Sequence, residues 1–207
     1  AVMGPSGSGK STLLYALSGM DNVDGGKVTF DGADLSVLKE NELADLRRTK
    51  MGFVFQQPTL LKNLNILDNI LLPSMRDGRK NGAQLSEKAR ALMEKTGIAG
   101  LENRDITQAS GGQLQRVGIC RALMGDPKII FGDEPTGALN STSASEIMTI
   151  LAEIHRAGTT VNNIILTAVA FIGDPHIIFT RREYLPSCQV LLDGGKDHPT
   201  RCPPAQF

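Results

Sequence analysis

Tryptophan is absent and aromatic residues make up only 4% of the 207 positions, which argues against a stacking platform for bases or sugars. Charge of one sign is lacking too. Lys plus Arg and Asp plus Glu number 22 each, for a formal net charge of zero. That balance argues against a protein that coats nucleic acid or an anionic membrane, so nucleic acid is not an expected partner. There are three cysteines, Cys120, Cys188 and Cys202, and none forms a CxxC pair. A reduced cytosolic setting is the simple reading, and Cys188, His198 and Cys202 lack the paired-ligand spacing of a zinc site. No basic segment followed by an apolar run opens the chain, so no signal peptide is expected. The longest apolar run, Ile164 to Gly173, is about half a membrane span and is closed by Asp174-Pro175. The expectation is a chain that does not itself cross a membrane. What is plentiful is apolar residues at 41% and 22 glycines, enough for a packed core in which backbone conformation matters locally.

Ala1-Val2-Met3 reads as the tail of a buried strand and runs into GPSGSGKST, Gly4 to Thr12. This satisfies the phosphate-loop pattern of Gly, four residues, then Gly-Lys-Ser. Gly4, Gly7 and Gly9 permit turns in which successive N–H groups point at phosphate oxygens. Pro5, Ser6, Ser8 and Thr12 complete the candidate loop. Lys10 would place an ammonium on the β and γ phosphates, and the Ser11 hydroxyl is a hard oxygen ligand for Mg²⁺. Leu13, Leu14 and Leu17 then mark one face of a helix whose N-terminal dipole favours an anion.

Downstream, Met51–Phe55 reads as a second strand, followed by Gln56-Gln57-Pro58. Leu85, Ala89, Leu92 and Met93 share a helical face, with Gly97 placed as a C-cap. Ser110 and Gln113 form a capping box opening a helix that buries Val117, Cys120 and Met124. The Gly111-Gly112 pair at that N-terminus equally suits an exposed anion site, and both readings stand. Pro127 ends the helix, and the strand after it finishes in Asp133-Glu134. An acid at a strand tip beside a phosphate loop can hold Mg²⁺ through water, and a neighbouring Glu can take a proton from an attacking water.

Together, from residue 1 to about residue 160, these pieces resemble the ATP-binding-cassette ATPases. The loop is GPSGSGKST, the Q-loop is Gln56 in FVFQQ, and the signature is ASGGQ, Ala109 to Gln113, with Ala where Leu is commoner. The second acidic motif is IIFGDE, and the D-loop is GALNS, Gly137 to Ser141, with Asn140 where Asp is usual. The resemblance implies an α/β fold, a P-loop NTPase core of mostly parallel sheet with flanking helices, and an inserted helical lobe over about residues 60–125. It implies one cassette domain over residues 1–207, bound ATP and Mg²⁺, and a homodimer or paired ATPase subunit sandwiching two nucleotides. Ser110, Gly111, Gly112 and Gln113 of one subunit would face the nucleotide held by Lys10 of the other. Ser11, Gln56 and Asp133 would attend the metal, with Glu134, Gln56 and Lys10 in the catalytic role. The wording QASGGQLQRVGICRAL and DEPTGALNS is most similar to ATPases of macrolide, lipoprotein-release and bacitracin-type exporters. Such a subunit powers export through a separate transmembrane permease and sits in the cytoplasm on the inner face of the membrane.

Three features depart from the pattern. Only three residues of the strand before the phosphate loop are present, and the family's upstream antiparallel region, with an aromatic that stacks on adenine, is missing. The family's switch histidine is replaced by Ala168, or by Gly173 on an alternative alignment, and the spacing of His176 is wrong for a substitute. Composition also shifts after Thr160. Asn162-Asn163 interrupts a would-be buried strand, and half the prolines (175, 186, 199, 203 and 204) lie there, so residues 161–207 read as a divergent segment. These departures set an active ATPase against a degenerate module that binds nucleotide with little turnover.

Overall fold

The computed structural model of the protein describes residues 2–4, 7–77, 82–166 and 188–191. Its centre is a parallel sheet of four strands, β1 (Val2–Gly4), β4 (Met51–Phe55), β5 (Ile129–Asp133) and β6 (Thr160–Leu166), in the order β1-β6-β5-β4. Strand β5 reads as a continuous apolar run because both of its faces are covered. Alternate side chains serve the two sides. Ile129 and Phe131 join Leu14 and Leu17 of α1 (Lys10–Leu17) and Leu43 of α2 (Glu40–Lys50). Ile130 joins Ile119 of α5 (Gly111–Leu123) and Ile147 and Leu151 of α6 (Ser141–Arg156).

The charges of α2 suit its direction, with Glu40 and Glu42 in the first turn and Arg47, Arg48 and Lys50 in the last. The Glu42 carboxylate also accepts from the Lys39 N–H at 2.8 Å. A third core joins Ile66 and Ile70 of α3 (Ile66–Leu71), Ala89 and Met93 of α4 (Gly82–Lys95), and Val117, Cys120 and Met124 on or just beyond α5. Helix α4 ends as its pattern predicts. Gly97 adopts φ 72°, its N–H reaches the Glu94 carbonyl, and the Ile98 N–H reaches that of Met93. This is the double closure of a Schellman motif.

A second, antiparallel sheet follows the phosphate loop in sequence. Strands β2 (Lys27–Phe30) and β3 (Ala33–Asp34) form a hairpin, and β7 (Cys188–Leu191) pairs antiparallel with β2. The hairpin turn is Asp31-Gly32, with φ 52° and 80°, the doubly left-handed geometry that matches strand twist. One sequence expectation needs correction: Asn162-Asn163 does not interrupt β6. Its ladder runs through both residues, opposite Phe131 and Gly132 of β5, because pairing uses the backbone and tolerates a poor strand former. The stretch read as divergent therefore contributes a strand to each sheet.

Candidate functional site

The site lies at the carboxyl ends of β1 and β5, where open parallel sheets present their ligand crevice. Gly7 and Gly9 adopt φ 78° and 81°, the left-handed region that glycine enters without strain. Gly9 occupies the N-cap of α1 in that conformation, with no side-chain cap, so the first N–H groups of the helix face the loop. Lys10 follows and is almost wholly covered, at 7% exposure, with its ammonium 3.5 Å from the Ser8 hydroxyl. Gly4 ends β1 and Thr12 lies in the first turn of α1. Pro5 and Ser6 fall outside the described residues, as do Ala168, Gly173, His176, His198 and Cys202.

Ser11 donates its hydroxyl to Oδ1 of Asp133 at 3.1 Å, joining the loop to the tip of β5. Two hard oxygens at that separation match adjacent ligands of an octahedral ion with bonds near ~2.1 Å, which places them about 3 Å apart. Among the described residues no group of three or more His, Cys, Asp or Glu could cage a metal. A lone carboxylate with a hydroxyl suits Mg²⁺, which keeps waters and takes phosphate oxygens as further ligands.

Glu134 comes next and holds φ 49°. A glutamate in this region is strained by about 1–3 kcal/mol, a feature that gathers at functional positions. The strained residue opens a tight loop, in which the Gly137 N–H reaches the Glu134 carbonyl at 2.9 Å. Against that loop lies Gln56. A Cβ on Gly137 would stand 2.8 Å from its Nε2, so the absence of a side chain there admits the Gln56 carboxamide. Ser11 and Asp133 thus meet, Lys10 precedes Ser11 with its ammonium by Ser8, and Gln56 reaches the loop that carries Glu134.

Ser110 to Gln113 are placed differently. The Ser110 N–H donates to Gln113 Oε1 at 2.9 Å, and the Gln113 N–H to the Ser110 hydroxyl at 3.3 Å, so the capping box forms. A Cβ on Gly112 would meet the Ser143 hydroxyl at 3.1 Å, and one on Gly111 would touch Leu139 at 3.7 Å. This N-terminus is seated on α6 and its preceding loop, whereas α1 packs on β1, β5 and β6. The departure at Asn140 is conservative in effect. Its side chain accepts from the Ser143 N–H at 2.9 Å and caps α6 as an aspartate would.

One buried polar residue beside the site escaped the sequence reading. Gln115 is buried at 1% exposure and donates from Nε2 to the carbonyl of Phe55 at 2.9 Å, directly before Gln56. Set between Leu114 and Arg116, it carries no signal of burial in the sequence.

The model of the family described as ABC transporter matches residues 1–137. The chain belongs to that family. It is 46% identical over 162 residues to a probable syringafactin export ATP-binding/permease protein of Pseudomonas syringae pv. syringae, across 78% of this chain and 24% of that one. It is 47% identical over 161 residues to a macrolide export ATP-binding/permease protein of Chromobacterium violaceum, across 78% of this chain and 25% of that one. The cassette therefore spans about a quarter of the length of these relatives. Among solved structures, a dimeric ATP-binding cassette in a post-hydrolysis state with ADP and Pi superposes with TM-score 0.71 at 38% identity, covering 80% of this chain and 73% of that one. The α/β P-loop fold is that of an ABC cassette.

Proposed function

We propose that this cassette binds ATP with Mg²⁺ and hydrolyses it to drive export through a transmembrane permease. The contact between Ser11 and Asp133 carries the reading, because it joins the phosphate loop to an acid at the tip of β5. Lys10 and the loop N–H groups bind the β and γ phosphates, and Ser11, Asp133 and Gln56 attend the metal. Mg²⁺ supplies neutralisation of phosphate charge. Glu134 accepts the proton of the attacking water, held in place by its constrained backbone.

The N-terminus of α5, seated on α6, supports a two-copy arrangement in which Ser110 to Gln113 complete a partner's nucleotide site, forming one homodimer around two ATP. The dimeric cassette among the solved structures favours the same arrangement. The names of the relatives combine ATP-binding and permease functions, which supports a permease partner. Among the described residues no helix is long and apolar enough to cross a membrane. Work with such a permease would place the cassette on the inner, cytoplasmic face of the membrane. An open groove of about 270 Å³, lined by Arg47, Arg48, Phe53, Pro73 and Arg121 among others, suits an acidic, partly apolar segment of that partner. We further assign the lobe over about 60–125 to the helices α3 to α5.

A second reading, nucleotide binding without turnover, is favoured by one observation: no histidine stands at Ala168 or Gly173. Phosphate release by the purified chain separates the two, measured beside Glu134→Gln and Ala168→His. Release by the parent that falls about 100-fold or more in Glu134→Gln supports hydrolysis. Release only after Ala168→His supports binding without turnover.

A further inference from the structure

Gln56 is exposed, and its place is set through the main chain on either side of it. Helix α5 grips that main chain at three points. Gln115 Nε2 donates to the Phe55 carbonyl at 2.9 Å, and Arg121 Nη1 donates to the Thr59 carbonyl at 2.6 Å. Between them, a Cβ on Gly118 would stand 3.2 Å from Pro58 Cβ, so the proline nests against bare helix backbone. Positions 115, 118 and 121 recur every three residues and share one side of the helix. The segment from Phe55 to Thr59 is thereby fixed to the same rigid body that begins at Ser110.

A buried amide is unfavourable unless it is hydrogen-bonded, and an apolar residue of similar volume would fill the same space. The donor on Gln115 is thus matched to the one carbonyl that precedes Gln56. We propose that Gln115 is a positioning residue for Gln56, holding the carbonyl before it so that its carboxamide is set for the metal-bound nucleotide. The inference rests on the nucleotide reading above.

The test is the equilibrium affinity of the purified chain for ATP in Mg²⁺ and in EDTA. Parent, Gln56→Ala, Gln115→Met and the double variant are compared, with Tm recorded for each. The gain in affinity on adding Mg²⁺ is expected to shrink about three- to tenfold in Gln115→Met. Affinity in EDTA stays within about twofold of the parent, and the double variant loses no more than Gln56→Ala alone. A purely structural role would instead weaken binding equally in both buffers and add to the effect of Gln56→Ala, and that result overturns the proposal. If Gln115→Met does not fold, Arg121→Met tests the same grip at Thr59 with the same expected shrinkage. A parent-like Mg²⁺ gain in the folded variant overturns this inference alone. Failure of the parent to bind ATP in either buffer overturns the nucleotide reading and the inference with it.

Discussion

Ser11 and Asp133, 122 positions apart in sequence, meet at 3.1 Å. The contact brings the phosphate loop and the tip of the acidic strand together, and the proposed Mg²⁺ site needs both. Replacing Asp133 with Asn keeps the shape and removes the charge. Mg²⁺ affinity in the presence of ATP is expected to fall about 10- to 100-fold, while ATP binding in EDTA is retained. Titration calorimetry in the two buffers checks it, and equal losses in both would contradict the assignment.

A second charge cluster bears on stability. The Asp31 carboxylate accepts from Lys50 at 2.6 Å and Lys128 at 2.5 Å, tying the β2–β3 turn to the end of α2 and the start of β5. The two ammonium groups hold its pKa down to about 2, below the unfolded value of about 3.9. A depressed carboxylate stabilises the fold above its unfolded pKa and loses that contribution as pH falls through the folded one. Asp31→Asn tolerates the same left-handed backbone. It is expected to have a lower Tm than the parent at pH 7, the gap closing between about pH 4 and pH 2. Thermal unfolding across that range decides, and a gap independent of pH would contradict the pairing.

Gly52 marks the close approach of β4 and α5. A Cβ there would stand 2.8 Å from the Ala122 carbonyl and 3.2 Å from the side chain of Ile130, which is fully buried. Gly52→Ala is expected to destabilise the chain by about 1–3 kcal/mol, read from denaturant midpoints with an unchanged slope.

At the start of α6, Asn140→Ala removes the acceptor for the Ser143 N–H and should lower stability by about 1 kcal/mol. Asn140→Asp should restore it, since either oxygen caps the helix. Chemical denaturation of the pair tests this, and a loss in both variants would place the effect elsewhere.

Much of the site was legible because its chemistry is written locally. A phosphate loop needs Gly, Lys and Ser at fixed offsets, and the Ser110–Gln113 box closes over three residues. The Gly97 cap and the buried stripe of α4 follow from helical spacing in the same way. The Asp31-Gly32 hairpin carried a local signal too, a left-handed turn pair between short strands. Strand β7 and the continuity of β6 depend on partners far away in sequence, so Cys188–Leu191 and Asn162-Asn163 gave no sign of their pairing. The role of Gln115 was hidden for the same reason. Its partner, the Phe55 carbonyl, is 60 positions away, and a carbonyl has no letter of its own.

Phosphate binding by Lys10 and the loop around it underlies every step proposed for the cassette. Equilibrium binding of Mg²⁺-ATP to the purified chain and to Lys10→Ala measures it. Saturable binding of one nucleotide per chain is expected, weakened about 10- to 150-fold in the variant. Equal affinity in the two chains, or no binding to the parent, would contradict it.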